Sequence, residues 1–126
     1  MEIKETRVFK TFLKDDICYS IVKENAVINL EDAENNSQSV EKISNVTIYP
    51  ILVNIREINE IKKEARDHFT MKVRTLGVSA IAILINSPVS RIIGNFFMGI
   101  NRAIVPSQLF TSKEKAIIWL NRYKTE

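Results

Sequence analysis

The amino-acid sequence predicts an α/β domain in which helices lie on a sheet. Three observations predict it. Segments rich in β-branched and aromatic residues alternate with amphipathic segments at helical spacing, the connections between them are short, and one run, Val78–Ile85, is apolar without polar alternation. Such a run is a strand covered on both faces, hence interior to a sheet that carries helices.

The elements follow in order. Arg7–Leu13 reads as a strand whose phase is ambiguous, because Val8, Phe9 and Phe12 do not alternate strictly. Asp15-Asp16 is a hairpin turn, and Ile17–Val22 is the returning strand, rich in β-formers. Asn25 turns the chain into a short third strand, Ala26–Ile28. Asn29 caps a helix whose first turn carries Glu31 and Asp32, suited to the positive end of the helix dipole. Its apolar stripe is Leu30, Ala33, Ser37, Val40 and Ile43, with Glu34, Asn35, Asn36, Gln38 and Glu41 on the other face.

Ile48–Ile55 is a buried strand with Pro50 near its start. A second helix is expected around 62–70, with Ile58, Ile61, Ala65 and Phe69 as its stripe, the alternative being that Ile58 and Ile61 lie in the loop before it. After the interior strand Val78–Ile85, Pro88 bars helix at Ser87 and Ser90 reads as the cap of a helix over 91–102. Ile104–Phe110 is an edge strand because of Pro106. Thr111–Glu114 is a capping box for a last helix, 112–123, burying Ala116, Ile117, Leu120 and Tyr123, with Trp119 at its margin.

At 126 residues the chain has the size of one domain, expected to span 1–126. A chain of this length buries about two-thirds of its unfolded surface and needs no disulfide or metal staple. A single cysteine, Cys18, and a single histidine, His68, exclude an internal disulfide and a zinc site of the usual Cys/His kind. The net charge is +3, and Glu57, Glu60, Glu64 and Asp67 interrupt the main basic group. A nucleic-acid footprint needs a coherent basic stripe, so no nucleic-acid partner is expected. The start Met-Glu-Ile-Lys carries no apolar leader, and Leu76–Ile85 is shorter than the about 20 residues of a membrane span. A cytoplasmic location without transmembrane segment is the expectation.

Catalysis requires a nucleophile, a base beside it and a group to orient the base. His68 lies in the second helix among Arg66, Asp67 and Phe69, and neighbours in sequence do not face one another on a helix. Cys18 sits in a strand and reads as a small core residue. Gly77, Gly94 and Gly99 form no phosphate loop; the last two fall inside a helix, where they permit close packing or, near Gly99, a break. No catalytic residue, cofactor or metal is expected.

Two candidate sites remain. Asn86–Ser90 leaves the C-terminal end of a buried strand and enters a helix N-terminus, where anions gather, so Ser87, Ser90 and Arg91 are candidates for a small anionic ligand. The alternative is that Ser90 only caps the helix and Arg91 is solvated. The helix that follows carries Ile92, Ile93, Phe96, Phe97, Met98 and Ile100, more than one face can hold. Either a second strip stays outside the core, with Ile92, Phe96, Phe97 and Ile100 as an interface for a homodimer or another protein, or the last helix with Trp119 covers it.

Several stretches taken together resemble a known family: Leu30–Ala33, Tyr49–Arg56, Lys63–Arg66, Asn86–Phe97, Asn101, Pro106, Leu109-Phe110 and Glu114–Leu120. The chain is similar in them to small SpoIIAA-like proteins of the STAS type, the fold of anti-sigma-factor antagonists. The resemblance implies a central mixed sheet flanked by about four helices, and a non-enzymatic interaction or regulatory module. In the switch proteins of that fold a serine after the Leu-Val-Asn-Ile-type strand is phosphorylated. The matching segment here, Arg56–Lys63, contains no Ser or Thr, so that switch does not carry over. The fold is shared with lipid-exchange domains of the CRAL-TRIO type, which supplies the second reading, a module for a small apolar, acyl or anionic ligand.

Overall fold

Asp15 and Asp16 set the first pairing. Both adopt positive φ, 50° and 61°, in the computed structural model of the protein, which describes residues 1–45 and 47–124. Two successive residues of this kind give the tight turn whose twist suits the strands on either side. Those strands are β2 (Phe9–Lys14) and β3 (Ile17–Val22), paired antiparallel from Phe9↔Val22 to Lys14↔Ile17. An edge strand that the sequence reading missed, β1 (Ile3–Glu5), adds antiparallel to β2.

The chain continues through β4 (Ala26–Ile28), α1 (Leu30–Ser44), β5 (Ile51–Asn54), β6 (Ile58–Ile61), α2 (Lys63–Lys72), β7 (Ile81–Leu84), α3 (Pro88–Asn101), β8 (Ser107–Phe110) and α4 (Lys113–Leu120), closed by a 3-10 turn at Asn121–Tyr123. Among the described residues the main sheet has six strands in the order β1-β2-β3-β5-β7-β8, and β3, β5, β7 and β8 run parallel. This is the mixed α/β sheet the sequence predicts, with β7 interior and β8 at an edge.

The pleat assigns each strand residue to a face. Phe9, Cys18, Val22, Ile51, Ile81 and Ile83 point to the face carrying α1, α2 and α3, whereas Ile17, Tyr19, Leu52, Ala82 and Leu84 meet α4 through Ala116 and Leu120. Each fully buried aliphatic side chain contributes about 1.5–3 kcal/mol. Gly94 lets α3 approach the sheet: a Cβ there would stand 2.9 Å from Leu109 Cδ2 and 3.1 Å from Ile85 Cγ2. Gly99 marks no break, and α3 runs through it to Asn101.

Several local expectations are corrected. Ile58 and Ile61 belong to β6, which pairs parallel with β4 in a separate two-stranded sheet, so α2 begins only at Lys63. Their i, i+3 spacing imitates a helical stripe, but the parallel pairing with β4, together with the Asn25 N–H donating to the Glu57 carbonyl at 2.9 Å, holds the segment extended. Asn36 lies on the buried face of α1 while Leu30 is exposed. Asn29 does cap α1, in a capping box closed by Asp32. Asp32 also accepts from Arg7 Nε at 3.2 Å, and this contact raises the pKa of Arg7. Ser87, not Ser90, caps α3, with Pro88 as its first residue. Ser112 caps α4 by accepting from Lys115 N–H at 3.2 Å, so the helix starts later than a box at Thr111–Glu114 predicts. No helix among the described residues is long and apolar enough to cross a membrane.

Candidate functional site

Three features of α3 bear on function: its N-terminus, its outer face and the space beneath it. At the N-terminus, Ser87 Oγ accepts from Ser90 N–H at 3.0 Å and donates to Ser90 Oγ at 2.9 Å. Ser90 is fully buried; its Oγ accepts from the N–H groups of Asn86 (3.0 Å) and Ser87 (2.9 Å) and contacts the Ser87 carbonyl at 3.1 Å. The N–H groups of Asn86, Ser87 and Ser90 are therefore engaged within the turn itself. Arg91 stays exposed beside a shallow depression lined by Asn86, Ser87, Pro88 and Thr111. Ser87, Ser90 and Arg91 are close in space, but the capping box holds the two hydroxyls.

On the outer face, Val89, Ile92 and Phe96 are 44%, 71% and 41% exposed. Their spacing of three and four residues places them on one side of α3. Arg66 of α2 holds its guanidinium carbon 5.5 Å from the Phe96 ring centre. Ile100 is partly buried one turn further on. Phe97 turns inward, edge-on to Phe69 with ring centres 6.2 Å apart, and supports Phe96 at 5.2 Å from below. The last helix does not cover this strip, because α4 packs on the opposite face of the sheet, where Trp119 lies against Phe110 and Tyr123.

Beneath α3 an apolar cavity of about 110 Å³ lies between the sheet and the three helices, lined by Val22, Val53, Ile83, Phe69, Ile93 and Phe97 among others. Polar side chains reach it from each helix. Asn36 donates to Ser20 Oγ at 2.8 Å, and Ser37 Oγ shares a hydrogen bond with His68 Nε2 at 2.8 Å. Lys72 pairs with Glu41 at 2.6 Å. Asn101, at the end of α3, is buried.

Among the described residues the Ser37–His68 contact is the one place where a hydroxyl meets an imidazole, and residues 31 apart in sequence make it. No spacing rule would have found it. It lacks the remaining parts of a nucleophilic site. Asp67, the nearest carboxylate in sequence, pairs instead with Lys63 at 2.9 Å, and Ser37 sits in the middle of α1, where the backbone N–H groups close the helix. Burial pushes the Cys18 thiol up to about 12, which keeps it protonated and unreactive. Among the described residues no group of three or more His, Cys, Asp or Glu side chains is arranged to hold a metal ion.

Comparison with known proteins bears on this architecture. The chain is similar to an uncharacterized protein of the DUF3478 family with a SpoIIAA-like fold from Shewanella loihica PV-4, at TM-score 0.64 and 15% identity over 94% of this chain and 90% of that one. It is similar to an anti-sigma factor antagonist from Mycobacterium paratuberculosis at TM-score 0.66 and 9% identity, over 95% of each chain. A protein of unknown function from Arthrobacter sp. FB24 shares 30% identity over 88% of this chain and 97% of that one, with a TM-score of 0.34. No curated protein matches the chain. The first two likenesses show that the fold is SpoIIAA-like, of the STAS type. The model of the family described as Domain of unknown function (DUF7793) matches residues 11–124, and the chain belongs to that family.

Proposed function

We propose that the chain is a non-enzymatic interaction module that pairs with a second copy of itself through the outer face of α3. The observation that carries the reading is the exposed strip Val89–Ile92–Phe96, with Ile92 71% exposed in the middle of a helix. A contiguous apolar strip on a surface helix marks a place where another surface docks. Isologous pairing is the simplest cover, because one patch then serves both subunits. Ile100 extends the strip by a turn, and Phe97 fixes the Phe96 ring from beneath.

One structural neighbour is by name an anti-sigma factor antagonist, which favours a protein-directed role. Phosphoserine control of the usual kind is absent from this reading, since Arg56–Lys63 offers no hydroxyl. Light scattering over a concentration series tests the proposal. The wild type is expected at twice the 14.5 kDa chain mass. Ile92→Glu is expected to be a monomer with unchanged circular dichroism, because the side chain leaves the core intact. A wild-type monomer at every concentration overturns the self-pairing.

A further inference from the structure

We infer that the open half of the sheet, on the side that carries α4, docks an acidic amphipathic helix of a partner protein. Three observations meet there. The first is coverage. On this side α4 packs across β5, β7 and β8, while α1 lies over β1, β2 and β3 on the other side. Among the described residues no helix covers β1 and β2 on the α4 side. A hairpin that faces water normally turns polar residues outward. Here the register turns Ile3, Phe12, Tyr19 and Ile21 to that side. Tyr19 is buried, Ile3 is 45% exposed, and Phe12 and Ile21 are half-buried. The Phe12 and Tyr19 rings stack 4.9 Å apart and within 9° of parallel, so the floor is ordered before anything docks.

The second observation is shape. Strands lie about 4.8 Å apart, so three of them make a strip about 10–14 Å wide. A helix with its side chains is about 10–12 Å across. β2 and β3 have six residues each. That length, about 20 Å, is matched by a helix of about 13 residues.

The third is charge. Lys10 and Lys14 flank Phe12 on β2, and strand alternation puts all three on one side. Lys113 stands over the Tyr19 ring, its Nζ 5.7 Å from the centre. Arg56 donates from Nε to Asn54 Oδ1 at 3.2 Å, and Asn54 lies opposite Ile21. Among the described residues none of these four cations pairs with a carboxylate. Glu5, opposite Lys10, is already engaged by Lys23 at 2.8 Å, and Asp15 and Asp16 lie at the hairpin tip. An apolar floor with a cationic rim selects a helix whose apolar stripe is flanked by Asp or Glu. A second copy of this chain would bring the same cations, and like charges across an interface disfavour it.

The probes are three peptides of about 18 residues: one with a Leu stripe flanked by Glu, one of the same composition with the stripe scrambled, and one with Lys in place of Glu. The Glu peptide is expected to bind with a dissociation constant below about 100 μM at low salt, about tenfold tighter than the other two, and more weakly as salt rises. Amide chemical shifts should centre on Phe12, Tyr19, Ile21 and Lys113. Lys113→Glu places a carboxylate in the first turn of α4, so it is expected to unfold at or above the wild-type temperature. The same variant is expected to bind the Glu peptide about tenfold more weakly, a separation that a purely structural role would not give. Ile92→Glu, on the other side of the sheet, is expected to bind it as the wild type does. No saturable binding of the Glu peptide, equal binding of its scrambled form, or unchanged affinity in Lys113→Glu overturns the site. Binding of oligothymidylate in preference to the Glu peptide, lost in Lys113→Glu, overturns the assignment to a protein helix.

Discussion

Thr11 and Ser20 stand opposite each other on β2 and β3, but only Ser20 finds a partner, the Asn36 amide at 2.8 Å. The Thr11 hydroxyl is fully buried and has no partner among the described residues. The helix face of the sheet thus contains two similar groups with opposite energetic roles. One ties α1 to β3, and the other is a buried polar atom without compensation.

Thr11→Val keeps the shape and the β-branching while removing the lone hydroxyl, so it is expected to raise stability by about 1 kcal/mol. Ser20→Ala leaves the Asn36 amide unpaired and is expected to lower stability by about 1–3 kcal/mol. Urea denaturation of the two variants reads these opposite signs directly. A loss of stability in Thr11→Val would show that the hydroxyl is paired in solution.

Gly94 and Gly99 lie in the same helix and should respond oppositely to alanine. At Gly94 a Cβ meets Leu109 Cδ2 at 2.9 Å and Ile85 Cγ2 at 3.1 Å, whereas at Gly99 nothing stands within 4 Å. Overpacking of about 1–3 kcal/mol outweighs the helix-propensity gain at the first position. At the second the gain stands alone, up to about 1 kcal/mol. Thermal unfolding is expected to show Gly94→Ala below the wild type and Gly99→Ala above it.

Cys18 makes stability depend on alkaline pH. Burial raises its folded pKa from 9.0 to about 12, with desolvation the main cause. Above the unfolded value the unfolded chain loses this proton while the folded chain keeps it, so stability is fully present below pH 9.0 and falls from there towards 12. The slope from this one group is at most about 1.4 kcal/mol per pH unit. Cys18→Ala is expected to flatten the fall, part of which remains because burial also raises the pKa of Tyr19. Stability curves measured at several alkaline pH values check this; an identical slope in the variant would contradict it.

Much of this fold is legible in the sequence because the signals are local. Val78–Ile85 announces an interior strand by its unbroken apolar character, and Asp15-Asp16 announces the hairpin by turn chemistry. The surplus of apolar residues on α3 is visible too, although only the packing of α4 on the far face leaves Ile92 and Phe96 outside. What is not legible depends on partners distant in sequence. Asn36 reads as a surface residue until Ser20 is seen beneath it. Ile58 and Ile61 read as a helix stripe because a strand of four residues gives too little alternation to outweigh an i, i+3 spacing. Ser87 and Ser90 both suit a cap, and Pro88 as the first helical residue decides for Ser87. The cavity has no sequence signal at all, since it is what remains when three helices meet one sheet.

The single tryptophan, Trp119, stacks against Tyr123 and Phe110 on the α4 side, with the full thickness of the sheet between its indole and the void under α3. Intrinsic fluorescence is consequently a good gauge of whether the chain is folded and a poor gauge of what the opposite layer holds. The indole reports on the α4 layer, so a silent fluorescence titration carries no information about the layer of α1, α2 and α3.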